Sequence, residues 1–190
     1  MRSILACLMR LSVVVIALLA TSVLVPPVGA GADSSRELRA RDDCDPATFN
    51  AALGAGACIG NGNTTVTEFN NELAQRGSVN AWKYDPDHRN VNRGDSVVVV
   101  NRGGETHTFT KVARFGGGFV ASLNQASGNP TPAPECATMA ADGSLVPTPP
   151  SATNLRVAAQ TQVPAPPLAT GTTLFQCCIH PWMRIQVTQR

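Results

Sequence analysis

The chain lacks an excess of charge of either sign. Fifteen Lys and Arg face thirteen Asp and Glu, a formal net charge of +2, and charged residues make up only 15% of the 190. Arg2 and Arg10 belong to a segment read below as a leader, and removing them leaves thirteen residues of each sign. A neutral chain of this kind excludes a nucleic-acid binder that works by neutralising phosphates. Aromatics are scarce at 5%, whereas Gly (16) and Pro (14) are plentiful, which argues against a helix bundle and for a loop-rich β protein. No internal repeat interrupts that reading. A membrane-spanning run is missing too: the apolar stretch Leu11 to Val25 falls short of the ~20 residues a span needs and ends at Pro26 and Pro27.

That stretch reads instead as a secretory leader over residues 1–32. Arg2 and Arg10 form its basic start, and the small residues ending at Ala30 or Ala32 form its cleavage site. The expected location is therefore periplasmic or secreted. Cys7 precedes the apolar run, so it is not a lipidation site. Five cysteines remain in the mature chain: Cys44, Cys58, Cys136, Cys177 and Cys178. In an oxidising compartment an odd count leaves one thiol that needs another role.

Residues 33–43 are polar and read as a flexible lead-in. Asp45-Pro46 is an N-cap followed by proline at the first helical position, with Phe49, Leu53 and Gly54 completing a short helix. Thr65 and Glu68 have capping-box spacing; Val66, Phe69 and Leu73 share a helical face, and Gly77 stops the segment. A calcium loop over Asn61–Glu68 is rejected, because Ala57 and Ile59 fall where carboxylates belong. From residue 79 the pattern is β. Val79–Tyr84, the valine run of Asp95–Asn101, the alternating Thr106–Val112, Leu155–Ala159, Thr172–Ile179 and Ile185–Gln189 are strand candidates, separated by Gly-containing turns. Residues 129–150, rich in proline and small side chains, read as a long surface loop pinned by Cys136. Repeated short strands of this kind predict a sandwich or barrel.

The chemistry concentrates in Phe175-Gln176-Cys177-Cys178-Ile179-His180-Pro181-Trp182-Met183. A thiol, an imidazole and a thioether stand within seven residues at the end of a predicted strand, and His107 sits on another strand upstream. Two imidazoles and a thiolate with a weak axial thioether make a blue-copper electron-transfer site. Structural zinc is disfavoured, since it takes four firm thiolate or imidazole donors. His88, in Asp85-Pro86-Asp87-His88, reads as a solvated turn residue rather than a ligand. Met139 lies in the proline-rich loop.

The segment closely resembles the ligand loop of the cupredoxins. Its Cys-x-x-His-x-x-Met spacing is similar to the short loop of amicyanin, including the proline after the histidine, and Gly94-Asp95 to Phe109 resembles the strand, turn and first histidine that precede it in that family. The resemblance covers roughly residues 79–190. It implies a mainly β, Greek-key sandwich binding one type 1 copper ion through His107, Cys177, His180 and axial Met183. Two departures stand out: the Cys177-Cys178 doublet, and Thr108 where plastocyanin-like proteins commonly brace the loop with asparagine. The expected organisation is a leader at 1–32, an N-terminal extension with two short helices at 33–78, and the copper domain at 79–190.

The family role this implies is one-electron transfer to a redox partner protein. His180 is expected near the surface, framed by an apolar patch at Pro181 and Trp182. An enzyme would need a second copper centre, and the mature chain has only three histidines. The alternatives are copper delivery, for which exposed Met and His clusters are missing, and a metal-free interaction module. Strand alternation turns Cys177 and Cys178 to opposite faces. With Cys177 at the family's ligand position, the expected bridges are Cys44–Cys58 and Cys136–Cys178; a vicinal Cys177–Cys178 bridge is the competing arrangement.

Overall fold

The computed structural model describes residues 36–190. The leader reading, with Arg2, Cys7 and Arg10, lies outside them. In chain order the elements are β1 (Arg36–Arg41), α1 (Pro46–Leu53), α2 (Val66–Arg76), β2 (Lys83–Asp85), β3 (His88–Val91), β4 (Val97–Asn101) and β5 (His107–Val112). There follow α3 (Ala121–Ala126), β6 (Ala137–Met139), β7 (Leu145–Pro147), β8 (Asn154–Val157), β9 (Gln162–Pro164), β10 (Gly171–Gln176) and β11 (Arg184–Gln189). The fold is mainly β, in two mixed sheets. One runs β2-β1-β4-β9 and the other β3-β11-β10-β5-β8, while β6 and β7 form a separate hairpin. Among the described residues no helix is long and apolar enough to cross a membrane.

The two sheets share one core. Leu38 and Val99 come from the first; Phe109, Phe175, Ile185 and Val187 come from the second, and all six are buried. Alternation explains the choice of faces. On β10, Phe175 points into this core while Leu174 turns to a smaller cluster around Val112, Cys136 and Cys178.

The polar lead-in expected before Cys44 is instead a strand. β1 pairs in parallel with β4, Leu38 opposite Val99, and antiparallel with β2. Its sequence, Arg-Glu-Leu-Arg-Ala-Arg, buries only Leu38 and Ala40 and leaves its charges at the surface, so composition hides the period-2 signal. The two helices therefore form an insertion between adjacent strands of one sheet. Within the insertion, local chemistry acts as written. The Asp45 side chain accepts hydrogen bonds from the Ala47 and Thr48 amides, and Thr65 and Glu68 form a complete capping box. Gly77 closes α2 in the left-handed conformation. Phe49, Phe69, Leu73, Val79 and Trp82 all join the sandwich core.

Other differences are smaller. His88 begins β3, beside β11, with its side chain 67% exposed and paired to Asp87. The proline-rich stretch carries the β6–β7 hairpin, and α3 and β9 have no clear sequence signature.

Candidate metal centre

β5 opens with His107, and β10 ends at Gln176, one residue before Cys177. The loop from Cys177 to Met183 then turns tightly back into β11. The Cys177 amide donates to the Met183 carbonyl (3.0 Å), and the Met183 amide to the His180 carbonyl (2.9 Å). This turn brings His180 beside Cys177. The antiparallel β5–β10 pairing brings His107 to the same end of the sheet. The donor atoms of His107, Cys177 and His180 all lie within 4.8 Å of one another. Cys177 Sγ is 3.9 Å from Nδ1 of each imidazole. Cys177 and His107 are fully buried, His180 is 3% exposed and Met183 1%.

The other cysteines among the described residues are committed elsewhere. Cys44 is bonded to Cys58 and Cys136 to Cys178, leaving Cys177 a free thiol. The doublet splits just past the end of β10, with Cys177 in the main core and Cys178 in the cluster with Cys136.

Thr108 takes over the bracing task. Its hydroxyl accepts a hydrogen bond from the Cys178 amide at 2.7 Å, and its own amide donates to Cys177 Sγ at 3.4 Å. The Thr108 hydroxyl is 3.0 Å from that of Thr110, which donates to Asn154 Oδ1 at 2.7 Å. This chain of hydroxyls ties the ligand loop to β5 and β8, and Tyr84 adds a hydrogen bond to the Thr108 carbonyl.

Two carboxylates stand behind the imidazoles, and sequence reasoning found neither. Asp42 Oδ2 lies 2.8 Å from His107 Nε2, with both side chains fully enclosed. The Gly104 and Glu105 amides donate to Asp42 at 2.8 and 3.1 Å. Glu105 Oε2 accepts from the Trp82 indole N–H at 2.5 Å and sits 3.6 Å from His180 Nε2. Asp42 lies in a polar stretch and Glu105 in a glycine turn, where an acidic residue ordinarily signals only a solvated loop. Gly103 alone hints at the arrangement: a Cβ there would stand 1.8 Å from Asp42 Oδ2.

The charges reinforce one another. Burial raises the cost of ionising Cys177, but hydrogen bonds and charge from His107 and His180 outweigh it and hold the thiol well below its ordinary range. Burial likewise opposes a charged His107; its bonds to Asp42 and Cys177 prevail and push it up to about 9. For Asp42, burial is outweighed by the His107 hydrogen bond and charge, and its carboxyl is held low. Burial prevails at Glu105 and raises it. The metal-free site thus stabilises a thiolate, the form a soft metal needs.

The exposed position expected for His180 is not what the structure shows. Phe69 packs edge-on to its ring at 6.3 Å, Trp82 lies at 6.5 Å and Trp182 at 5.5 Å. Pro181 is buried and Trp182 half-buried. The helical insertion supplies Phe69 and Trp82 to the cover, and only Trp182 comes from the ligand loop itself.

No family model and no curated protein matches this chain. Solved structures similar to it include a purple cupredoxin from Nitrosopumilus maritimus, 14% identical over 59% of this chain and 86% of that one, with a TM-score of 0.35. A reduced amicyanin variant is 18% identical over 57% and 73%, at 0.31. Oxidised plastocyanin from Dryopteris crassirhizoma is 15% identical over 82% and 100%, at 0.32. Likenesses this distant carry no argument by themselves. The donors do: two imidazole Nδ1 atoms and one thiolate, enclosed together at one end of a β-sandwich, fit the trigonal set of a type 1 copper site.

Proposed function

We propose that the chain is a cupredoxin-type electron carrier holding one copper ion through His107, Cys177 and His180, with Met183 as weak axial donor. The observation that carries this reading is the convergence of one free buried thiol and two buried imidazoles. Copper, when bound, supplies a one-electron redox change. The chain's own residues supply the rest. The turn from Cys177 to Met183 and the Thr108 chain hold the donors in place, so little rearrangement is needed between oxidation states. The aromatic cover keeps water from the donors. The Thr108 amide, donating to the thiolate, fixes the sulfur's orientation.

Burial of all three donors favours a carrier over copper delivery, which needs donors that a receiving protein can reach. A carrier is also favoured over an enzyme, because His88, the third histidine of the mature chain, stands exposed on β3. Two disulfides suit an exported protein in the periplasm or outside the cell. A redox partner protein would meet the centre at Trp182, beside Pro181: the indole is half-buried and reaches toward His180.

The visible spectrum of the copper-loaded oxidised protein tests the reading. An intense thiolate-to-copper charge-transfer band is expected, lost in His107→Ala. A wild-type protein that binds copper without that band, or binds none, would remove the proposal in favour of a metal-free module.

A further inference from the structure

We propose that Asp42 and Glu105 are positioning residues of this centre. Each stands at the distal nitrogen of one ligand imidazole, so that both rings present Nδ1 to the metal and the donor set favours Cu(II) over Cu(I). The inference rests on the copper reading above. Both Nδ1 atoms face Cys177 Sγ at 3.9 Å, while the Nε2 atoms face Asp42 at 2.8 Å and Glu105 at 3.6 Å. A carboxylate against the distal nitrogen fixes which nitrogen carries the proton and makes the other a stronger donor. The shorter contact is a hydrogen bond. The longer one acts through charge, in surroundings that weaken such interactions far less than water does.

Neither carboxylate is there by chance of a flexible surface. Asp42 is anchored by the Gly104 and Glu105 amides, and only a residue without Cβ at 103 leaves room for it. Glu105 is held by the Trp82 indole, which is itself stacked on Phe49 at 5.7 Å and edge-on to Phe69 at 4.8 Å. Asp42 opens the helical insertion and Trp82 closes it. The insertion is therefore a working part of the metal centre, carrying one anchor and placing the other. Two negative charges beside the metal stabilise its higher charge state and so lower its reduction potential.

The test compares Asp42→Asn, Asp42→Ala and Glu105→Gln with wild type. Copper(II) and copper(I) affinities are measured by chelator competition, midpoint potentials by redox titration, and the His107 tautomer by nitrogen-15 NMR of the metal-free protein at a pH high enough to make the ring neutral. Asparagine keeps an acceptor and removes the charge; alanine removes both. Each variant should lose roughly 10–100-fold in Cu(II) affinity and less in Cu(I) affinity. Every tenfold difference between the two raises the potential by ~59 mV. Asp42→Ala should also release the His107 tautomer, and Asp42→Asn should retain it. A purely structural role would lower thermal stability and leave the ratio of affinities and the potential unmoved. Should the Asp42 variants fail to fold, Glu105→Gln decides alone, since that side chain accepts no backbone hydrogen bond. Unmoved potentials in protein that shows the charge-transfer band overturn this inference only. Wild-type protein without the band overturns the copper reading, and this inference with it.

Discussion

Trp82 is the place to test whether the helical insertion is integral to the sandwich. Its side chain is 1% exposed, stacked on Phe49, edge-on to Phe69, and hydrogen-bonded to Glu105. Trp82→Ala leaves a cavity in a core that cannot collapse fully, at a cost of ~3–5 kcal/mol. For a domain of this size each kcal/mol lowers the melting temperature by about 2–4 °C, so a fall of roughly 6–20 °C follows. Trp82→Phe keeps most of the packing but leaves the buried Glu105 without its donor, a cost of ~1–3 kcal/mol. Leu53→Ala is the control: on the same insertion and 64% exposed, it should change stability by less than ~0.5 kcal/mol. Thermal and urea unfolding followed by circular dichroism measure all three in the metal-free protein. A second readout is the rate of oxidation of the reduced copper protein by a small inorganic oxidant. Trp82→Ala should accelerate it, because the indole is part of the cover over His180. The reasoning is refuted if Trp82→Ala melts within about 3 °C of wild type, since a shift so small means the insertion does not pack as a core element.

Thr108→Val keeps the side-chain shape and removes the acceptor of the Cys178 amide, leaving a buried N–H unpaired. A loss of ~1–3 kcal/mol in chemical denaturation is expected, with the copper band retained; unchanged stability would show that the hydroxyl is not the brace. Met183→Leu should retain the colour and raise the midpoint potential, because removing a weak axial donor disfavours Cu(II); if neither spectrum nor potential moves, Met183 is not axial. In the metal-free protein, NMR titration should find His107 protonated at neutral pH and deprotonating at about 9. Its folded value is raised, so its stabilising contribution is full below the unfolded value of ~6.5 and is lost as pH rises through about 9. Cys177, held low, contributes with the opposite sign: its stabilisation is full above the unfolded thiol value of ~8.5 and is lost as pH falls through its folded value. The two slopes oppose each other between about 6.5 and 8.5, where metal-free stability should be nearly flat with respect to these two groups. A His107 titration near 6.5 would contradict the Asp42 contact.

The parts of this protein legible in its sequence are those set by near neighbours. The caps of α1 and α2 need only Asp45-Pro46 and the Thr65, Glu68 and Gly77 spacing, because capping hydrogen bonds reach three or four residues. Period-2 alternation predicted that Cys177 and Cys178 face opposite ways, and they do so although β10 ends one residue before them. β1 escaped the same reasoning because its inward residues are only Leu38 and Ala40, set among three arginines and a glutamate. β9, three residues long with a proline at its end, offers too little pattern to read.

The donor set divides along the same line. Cys177 and His180 belong to one short loop whose spacing, with the family resemblance, singled them out together with His107, and the structure brings these three side chains together. What lies behind those donors is a matter of packing. Asp42 reaches His107 across 65 residues of sequence, and Trp82 reaches Glu105 across 23. An aspartate in a polar stretch and a glutamate after two glycines look solvated until the chain folds over them. The sequence by itself singled out the thiol and the two imidazoles that converge, because residue identity and short spacing are local properties. Tertiary structure alone decided that His180 is covered and that each imidazole has a carboxylate at its back. Burial and electrostatic environment are set by segments that meet only when the sheets and the helical insertion pack together.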